Sequence, residues 1–282
     1  MAVTFAPGGK PDSYGDRKFP EALPAYLAEF GLNGFEVECG RGVNIAENAR
    51  KLLPALAERH GMRLSLHAPY FISVSSVKEE IRLKSVTYIL ESARAAKKIG
   101  AKRIVVHSGS CAGISRGEAL ALAADTFKEA RNALDAEGLG DVVICPETMG
   151  KINQLGDLEE VLELCSFDER MMPCVDFGHL NARTRGGIIT GGDYAAIFDK
   201  IKDKLGAERL HNLHIHFSKI EYTAGGEKTH LTFRDDRFGP EYEPLMEEIF
   251  KRGAEPFVVC ESRGTQAEDC AVMANYYRRL SK

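Results

Sequence analysis

Short apolar runs rich in β-branched and aromatic residues alternate along this chain with longer stretches whose apolar positions recur at helical spacing. Eight runs read as strands: residues 3–6 (VTFA), 34–38 (GFEVE), 63–68 (RLSLHA), 103–108 (RIVVHS), 142–147 (VVICPE), 172–177 (MPCVDF), 212–218 (NLHIHFS) and 257–261 (FVVCE). The segments between them read as crossover helices. Over 77–99, for example, Ile81, Ser85, Tyr88, Ser92 and Ala95 share one face. Gly31, Gly61 and Gly100 follow helical runs as stop signals, and Ser115-Arg-Gly-Glu118 and Asp157-Leu-Glu-Glu160 have the spacing of capping boxes.

Strand and helix units at roughly 30-residue spacing predict a closed parallel barrel, because parallel strands need crossovers that cover the outside of the sheet. The expected fold is a single (β/α)8 TIM barrel domain over residues 1–282, with an open doubly wound sheet as the alternative. No GxGxxG follows the first strand and no GxxxxGK[ST] occurs, so nucleotide-cofactor readings lose their support.

Composition narrows the picture further. The chain is 44% hydrophobic and 28% charged, and no apolar run approaches the roughly 18 residues of a membrane span. The N-terminal stretch lacks the pattern of a secretory signal, which predicts a cytoplasmic protein. Seven cysteines without a CxxC pair argue against a disulfide framework and a thiolate zinc finger. Cys145 and Cys174 read as small buried apolar groups outside any site. A formal net charge of −4 gives no global attraction to polyanions, so nucleic-acid contact would depend on local positive charge and metal ions.

The eight histidines change the picture most. His67 and His107 end the third and fourth strands, Glu147 the fifth and Asp176 the sixth, with His179 three residues on. His214 and His216 lie on the seventh strand, and Glu261 ends the eighth. One histidine at a strand end is most simply a hydrogen-bonded loop residue, and one carboxylate there a helix cap. Several carboxylates and imidazoles converging on one barrel mouth would instead repel or stay unsatisfied without cations, so the joint pattern predicts divalent metal binding. Imidazole with carboxylate and no thiolate suits zinc, manganese or iron, and the nitrogen-rich set favours Zn2+, with Mn2+ as the alternative. His216 is open to three readings: a ligand, a partner that orients one, or a substrate contact. His60 and His211 read as structural.

In order, LHAPY (66–70), VVHSGS (105–110), CPETMGK (145–151), CVDFGH (174–179), HIHFSK (214–219) and CES (260–262) resemble the metal-ligand motifs of the endonuclease IV family. That family consists of zinc-dependent apurinic/apyrimidinic endonucleases within the xylose-isomerase-like barrel superfamily, which also holds sugar isomerases and epimerases. The resemblance implies a catalytic Glu147 bridging two metals. His67 and His107 would hold one metal, and Asp176, His214 and the catalytic Glu261 the other. A third metal would use His179 and His230, with Glu227 in place of the family's Asp and one residue further from the histidine. Further departures are Phe5-Ala-Pro-Gly where the family presents a histidine, and Glu36, Glu38 and CGRG at the second strand.

The resemblance places Tyr70 and Phe71 where the family wedges residues into the duplex. Arg41, Lys151, Lys219, Arg234 and Arg237 fall in loops expected on the same face, where they could meet phosphates. Tyr70, Phe71, Arg41, His216 and Lys219 are thus the candidate substrate contacts. The expected activity is metal-dependent hydrolysis of DNA 5′ to abasic sites by a monomeric barrel with no membrane partner. A one-metal sugar isomerase or epimerase using Glu147, Asp176, His214 and Glu261 is the alternative, and a metal-stabilised, non-enzymatic binding barrel the third reading.

Overall fold

The computed structural model describes residues 3–280, so the two residues at each end of the expected 1–282 domain lie outside it. Within it the strands are β1 (Thr4–Pro7), β2 (Gly34–Glu38), β3 (Arg63–His67), β4 (Arg103–His107), β5 (Val143–Glu147), β6 (Cys174–Asp176), β7 (His214–Phe217), β8 (Ile220–Thr223), β9 (Gly226–His230) and β10 (Phe257–Cys260). Eight of them form one parallel sheet in the order β1-β10-β7-β6-β5-β4-β3-β2. Its two edges meet at a bridge between Gly8 and Glu36, where the Gly9 amide donates to the Glu36 carbonyl at 3.0 Å. The sheet therefore closes into a barrel, and the open doubly wound alternative is overturned.

Local chemistry accounts for the crossovers. Both expected capping boxes form, at Ser115 with Glu118 and at Asp157 with Glu160, satisfying amides that a helix start leaves free. Gly31, Gly61 and Gly100 all take positive φ, the left-handed conformation that ends a helix cheaply only at glycine. The helix Glu79–Ile99 buries Ser85, Ser92 and Ala95 as expected, but its face is centred on Val86, Ile89, Ala93 and Ala96. Tyr88 and Ile81 lie half-buried at its margin.

Outward-facing strand residues such as Leu64, Leu66, Ile104, Val106, Val175 and Ile215 pack under the helices in the main core. The lumen is different. A barrel interior is ordinarily filled by bulky branched side chains. Here the small apolar cluster of Ala6, Phe257 and Val259 stands apart from the main core, and Glu36, Ser65, His214 and His216 are buried polar groups. Among the described residues no helix is long and apolar enough to cross a membrane.

One element was not expected. Between β7 and the helix Glu243–Arg252 the chain makes an antiparallel hairpin of β8 and β9. Its turn docks on the loop after β5: the Glu227 amide donates to the Gly150 carbonyl, and the Ile152 amide to the Gly225 carbonyl, each at 3.1 Å. Gly226 has φ +89°, and a Cβ there would stand 2.2 Å from the Gly150 oxygen, so this approach requires glycine.

Candidate metal centre

Strand register brings the candidate ligands together. Neighbouring strands pair Glu38 with His67, His107 with Glu147, and Asp176 with His216. Side chains two residues apart on a strand share a face, so the positions just below form a second inward layer. There Glu36 pairs with Ser65, and Cys174 with His214. The mouth layer opens into a cavity of about 370 Å3 lined by His67, His107, Glu147, His179, His230 and Glu261, among others.

Glu147 lies at the centre and is buried. Its Oε2 stands 3.4 Å from His67 Nε2 and 3.3 Å from His107 Nε2, and has no hydrogen-bond partner. Its Oε1 faces the other way, 3.1 Å from His216 Nδ1. Glu261 Oε1 approaches the same Nδ1 at 3.2 Å. His67, Glu147, His216 and Glu261 thus place one donor atom each within 4.8 Å of the others, as do Glu147, Asp176 and His179. Asp176 Oδ1 caps the following helix by accepting from the His179 amide at 2.7 Å, which leaves Oδ2 buried without a hydrogen bond.

A third group combines His179, Glu227 and His230. His179 Nε2 lies 3.5 Å from Glu227 Oε2. Three residues of separation would put Glu227 and His230 on opposite faces of a regular strand. The register slips once between Glu221 and Tyr222, so that Tyr222 pairs with Glu227 but Glu221 with Thr229. This bulge absorbs the extra residue and returns both side chains to one side.

Tautomers are legible where a ring nitrogen meets a group that can only accept. His67 Nδ1 donates to the Ala68 carbonyl and His179 Nδ1 to the Thr148 carbonyl, each at 2.9 Å. Both rings therefore keep a proton on Nδ1 and turn Nε2, the nitrogen a cation would take, toward the neighbouring carboxylates, the arrangement of an oriented metal ligand. His230 Nδ1 is held 2.8 Å from Ser218 Oγ.

The electrostatics show acids and bases in tension. Burial raises the Asp176 carboxyl to about 6, against His179 and together with Glu261. Burial lowers His107 to about 4, a shift that Glu147 only partly offsets. Burial would also lower His179, but Asp176, Glu147 and Glu227 outweigh it and hold the ring at about 9. These buried oxygens without donors, oriented imidazoles and crowded carboxylates fit divalent cations.

Several expectations shift in detail. His214 was placed with Asp176 and Glu261, but register sets it one layer lower, its Nε2 3.1 Å from Glu36 Oε2, and His216 takes the place at the mouth. Cys174 is buried as expected, yet its sulfur lies within 4.8 Å of donor atoms of His214 and His216, nearer the site than the sequence reading put it. Burial holds its thiol well above the usual range, so it stays protonated. Lys219 is not free for a substrate: it is buried, and its Nζ donates to the Asp235 carbonyl and Glu241 Oε1 at 2.8 Å each. Arg41, Lys151, Arg234 and Arg237 are exposed. Tyr70 lines the cavity and is 60% exposed, with its ring edge-on to that of Phe71. His60 is exposed, and His211 pairs with Glu255 at 3.6 Å, both away from the centre. Glu36 and Glu38 are the inward carboxylates that sequence reasoning did not assign to the site. Their spacing of two at the end of a barrel strand was the available signal.

Comparison with known proteins agrees with the barrel fold. Residues 24–276 match the family model described as xylose isomerase-like TIM barrel. An uncharacterized protein of Methanocaldococcus jannaschii is 32% identical over 250 residues, covering 89% of each chain. A protein of Shouchella clausii named probable endonuclease 4 is 29% identical over 210 residues, covering 70% of this chain and 69% of its own. Among solved structures, a D-tagatose 3-epimerase-like protein superposes with a TM-score of 0.71 at 19% identity, covering 99% of this chain and 98% of its own. Endonuclease IV from Thermus thermophilus gives 0.65 at 17% identity, with the same coverage. The chain belongs to the xylose isomerase-like TIM barrel family.

Proposed function

We propose that this protein is a metal-dependent phosphodiester hydrolase that incises DNA 5′ to abasic sites, with zinc as the metal. One observation carries the reading: the two oxygens of Glu147 face two different sets of imidazoles, His67 and His107 on one side and His216 on the other. A carboxylate so placed suits a bridge between two cations, which a one-metal sugar enzyme does not need. Bound as a pair, such cations supply an activated water and stabilise charge on the departing oxygen. The chain's own residues do the rest. Glu147, Asp176 and Glu261 supply the negative charge that holds the cations, and His67 and His179 keep their Nε2 atoms aimed by donating from Nδ1 to carbonyls. Tyr70 and Phe71 offer exposed rings at the mouth for an unstacked base or sugar, while Arg41 and Lys151 stand ready for phosphates.

A second reading, a sugar isomerase or epimerase, is favoured by the size of the cavity, about 370 Å3, which suits a small ligand. The test is to incubate the purified, metal-loaded protein with duplex DNA carrying one abasic site, and in parallel with ketoses, with and without chelator. The nuclease reading expects chelator-sensitive cutting 5′ to the site, lost in Glu261→Gln. Ketose epimerisation with intact DNA would transfer the assignment to the second reading.

A further inference from the structure

Below the mouth the lumen holds a buried polar layer that this function does not use. Glu36 is fully buried, and its Oε2 accepts from Ser65 Oγ at 2.7 Å and meets His214 Nε2 at 3.1 Å. Its Oε1 has no hydrogen-bond partner, and the nitrogen facing it is His216 Nε2, 3.0 Å away. The opposite nitrogen of that ring, Nδ1, faces Glu147 and Glu261 at the mouth. Carboxylates, which accept and cannot donate, therefore face both nitrogens of this ring. With a cation at the mouth Nδ1 gives up its proton to serve as the ligand atom, and the proton that remains is the one on Nε2, toward Glu36.

We propose that Glu36 is a positioning residue that fixes His216 as its Nε2–H tautomer and so commits Nδ1 to the metal pair. His216 is then reversed relative to His67 and His179, which are held through Nδ1 and offer Nε2. The reversal follows from where each ring is anchored. His67 and His179 lean on backbone carbonyls at the rim, whereas His216 is held from beneath by a side chain in the lumen. Ser65 and His214 fix the carboxylate in turn, which explains the polar residues at positions 36, 65 and 214 of this layer. A carboxylate behind a metal-bound imidazole both locks the ring and raises its basicity, and losing such a partner typically costs 10–100-fold in metal affinity.

The inference rests on the metal reading of the mouth, and the experiment separates the two. Zinc affinity is measured by chelator competition for the wild type, Glu36→Gln and Ser65→Ala, and imidazole tautomers by two-bond proton–nitrogen NMR of the zinc-loaded wild type. Glu36→Gln keeps the shape of the side chain, and Ser65→Ala loosens Glu36 without touching any imidazole, so one variant suffices if the other fails to fold. The expected results are zinc binding about 10–100-fold weaker in Glu36→Gln, about 2–10-fold weaker in Ser65→Ala, and His216 protonated on Nε2 while His67 and His179 are protonated on Nδ1. A wild type that binds zinc with His216 protonated on Nδ1, or variants that bind as tightly as wild type, overturns the role of Glu36 and leaves the metal reading standing. A wild type that takes up no zinc overturns both.

Discussion

The candidate ligands form two regions built in different ways. The inner group of His67, His107, Glu147, Asp176, His216 and Glu261 comes from barrel strands or the residues that end them: the first five are set by the register of a parallel ladder, and Glu261 by its amide donating to the Phe217 carbonyl just past β10. The outer group takes His179 from the start of a helix and Glu227 and His230 from a two-stranded hairpin. In the inner group one residue of slip would turn a ligand out of the lumen, and two residues drop it a layer, as with His214. The hairpin instead absorbs a whole extra residue in a bulge and still delivers Glu227 to His179. The inner group is therefore rigidly specified, and the outer one tolerates change in spacing but depends on how the hairpin docks.

The sharpest way to break this comparison is Glu147→Ala. Because Glu147 faces both halves of the inner group, its loss is expected to release metal from both paired positions. Activity should fall by about 1,000-fold or more, since the charge stabilisation of the centre goes with the metals. Metal analysis by mass spectrometry checks it, and unchanged stoichiometry would contradict the bridging placement.

The outer group predicts a smaller, separable loss. Glu227→Ala should lower metal content by no more than one equivalent and activity by about 10–100-fold, leaving the inner pair loaded. Gly226→Ala, which touches no ligand, should produce the same pattern, because its Cβ would push the hairpin off Gly150. If Gly226→Ala behaves as wild type, the docking does not position the outer group.

The rim contributes least to metal chemistry and most to substrate choice. Tyr70→Ala is expected to weaken binding of abasic duplex about 5–100-fold, as loss of one aromatic stacking partner does, with metal content unchanged. Gel-shift titration checks it. Equal binding by the variant would remove the main support for a DNA-facing rim.

Much of the inner group was legible in the sequence because a parallel barrel writes its site into strand ends, and short apolar runs between helical stretches show where the strands end. Which of two residues on one face is the ligand was not legible: His216 lies nearer the mouth than His214, and only its pairing with Asp176 shows that it stands level with the other ligands. The hairpin was hidden for a related reason. Residues 220–230 carry no apolar alternation, and their strand pairing is held by a glycine contact to a loop some 70 positions earlier, in the sequence numbering. Lys219 was misread because a lysine after a strand looks exposed, whereas Glu241, remote in sequence, draws it inward.

The smallest expected effect is a drift of stability with pH that the two regions share. His179 is held at about 9, and His67 well above the usual histidine range because Glu38 and Glu147 outweigh the burial that would lower it. A histidine whose folded pKa exceeds its unfolded value near 6.5 binds its proton more tightly when folded. Its stabilisation is fully present below about 6.5 and is lost as pH rises through about 9. His107 and His214, both lowered to about 4, complete their titration beneath this window and do not oppose the trend. Chelator-treated protein should therefore lose roughly a few degrees of thermal midpoint between these limits. Zinc reverses the sign, because the cation takes the place of the protons, so the midpoint gained on adding zinc should widen as pH rises. His179→Gln should remove the outer share of the drift and leave that of His67. A chelated midpoint that stays flat or climbs would show that neither ring carries its extra proton in the folded chain.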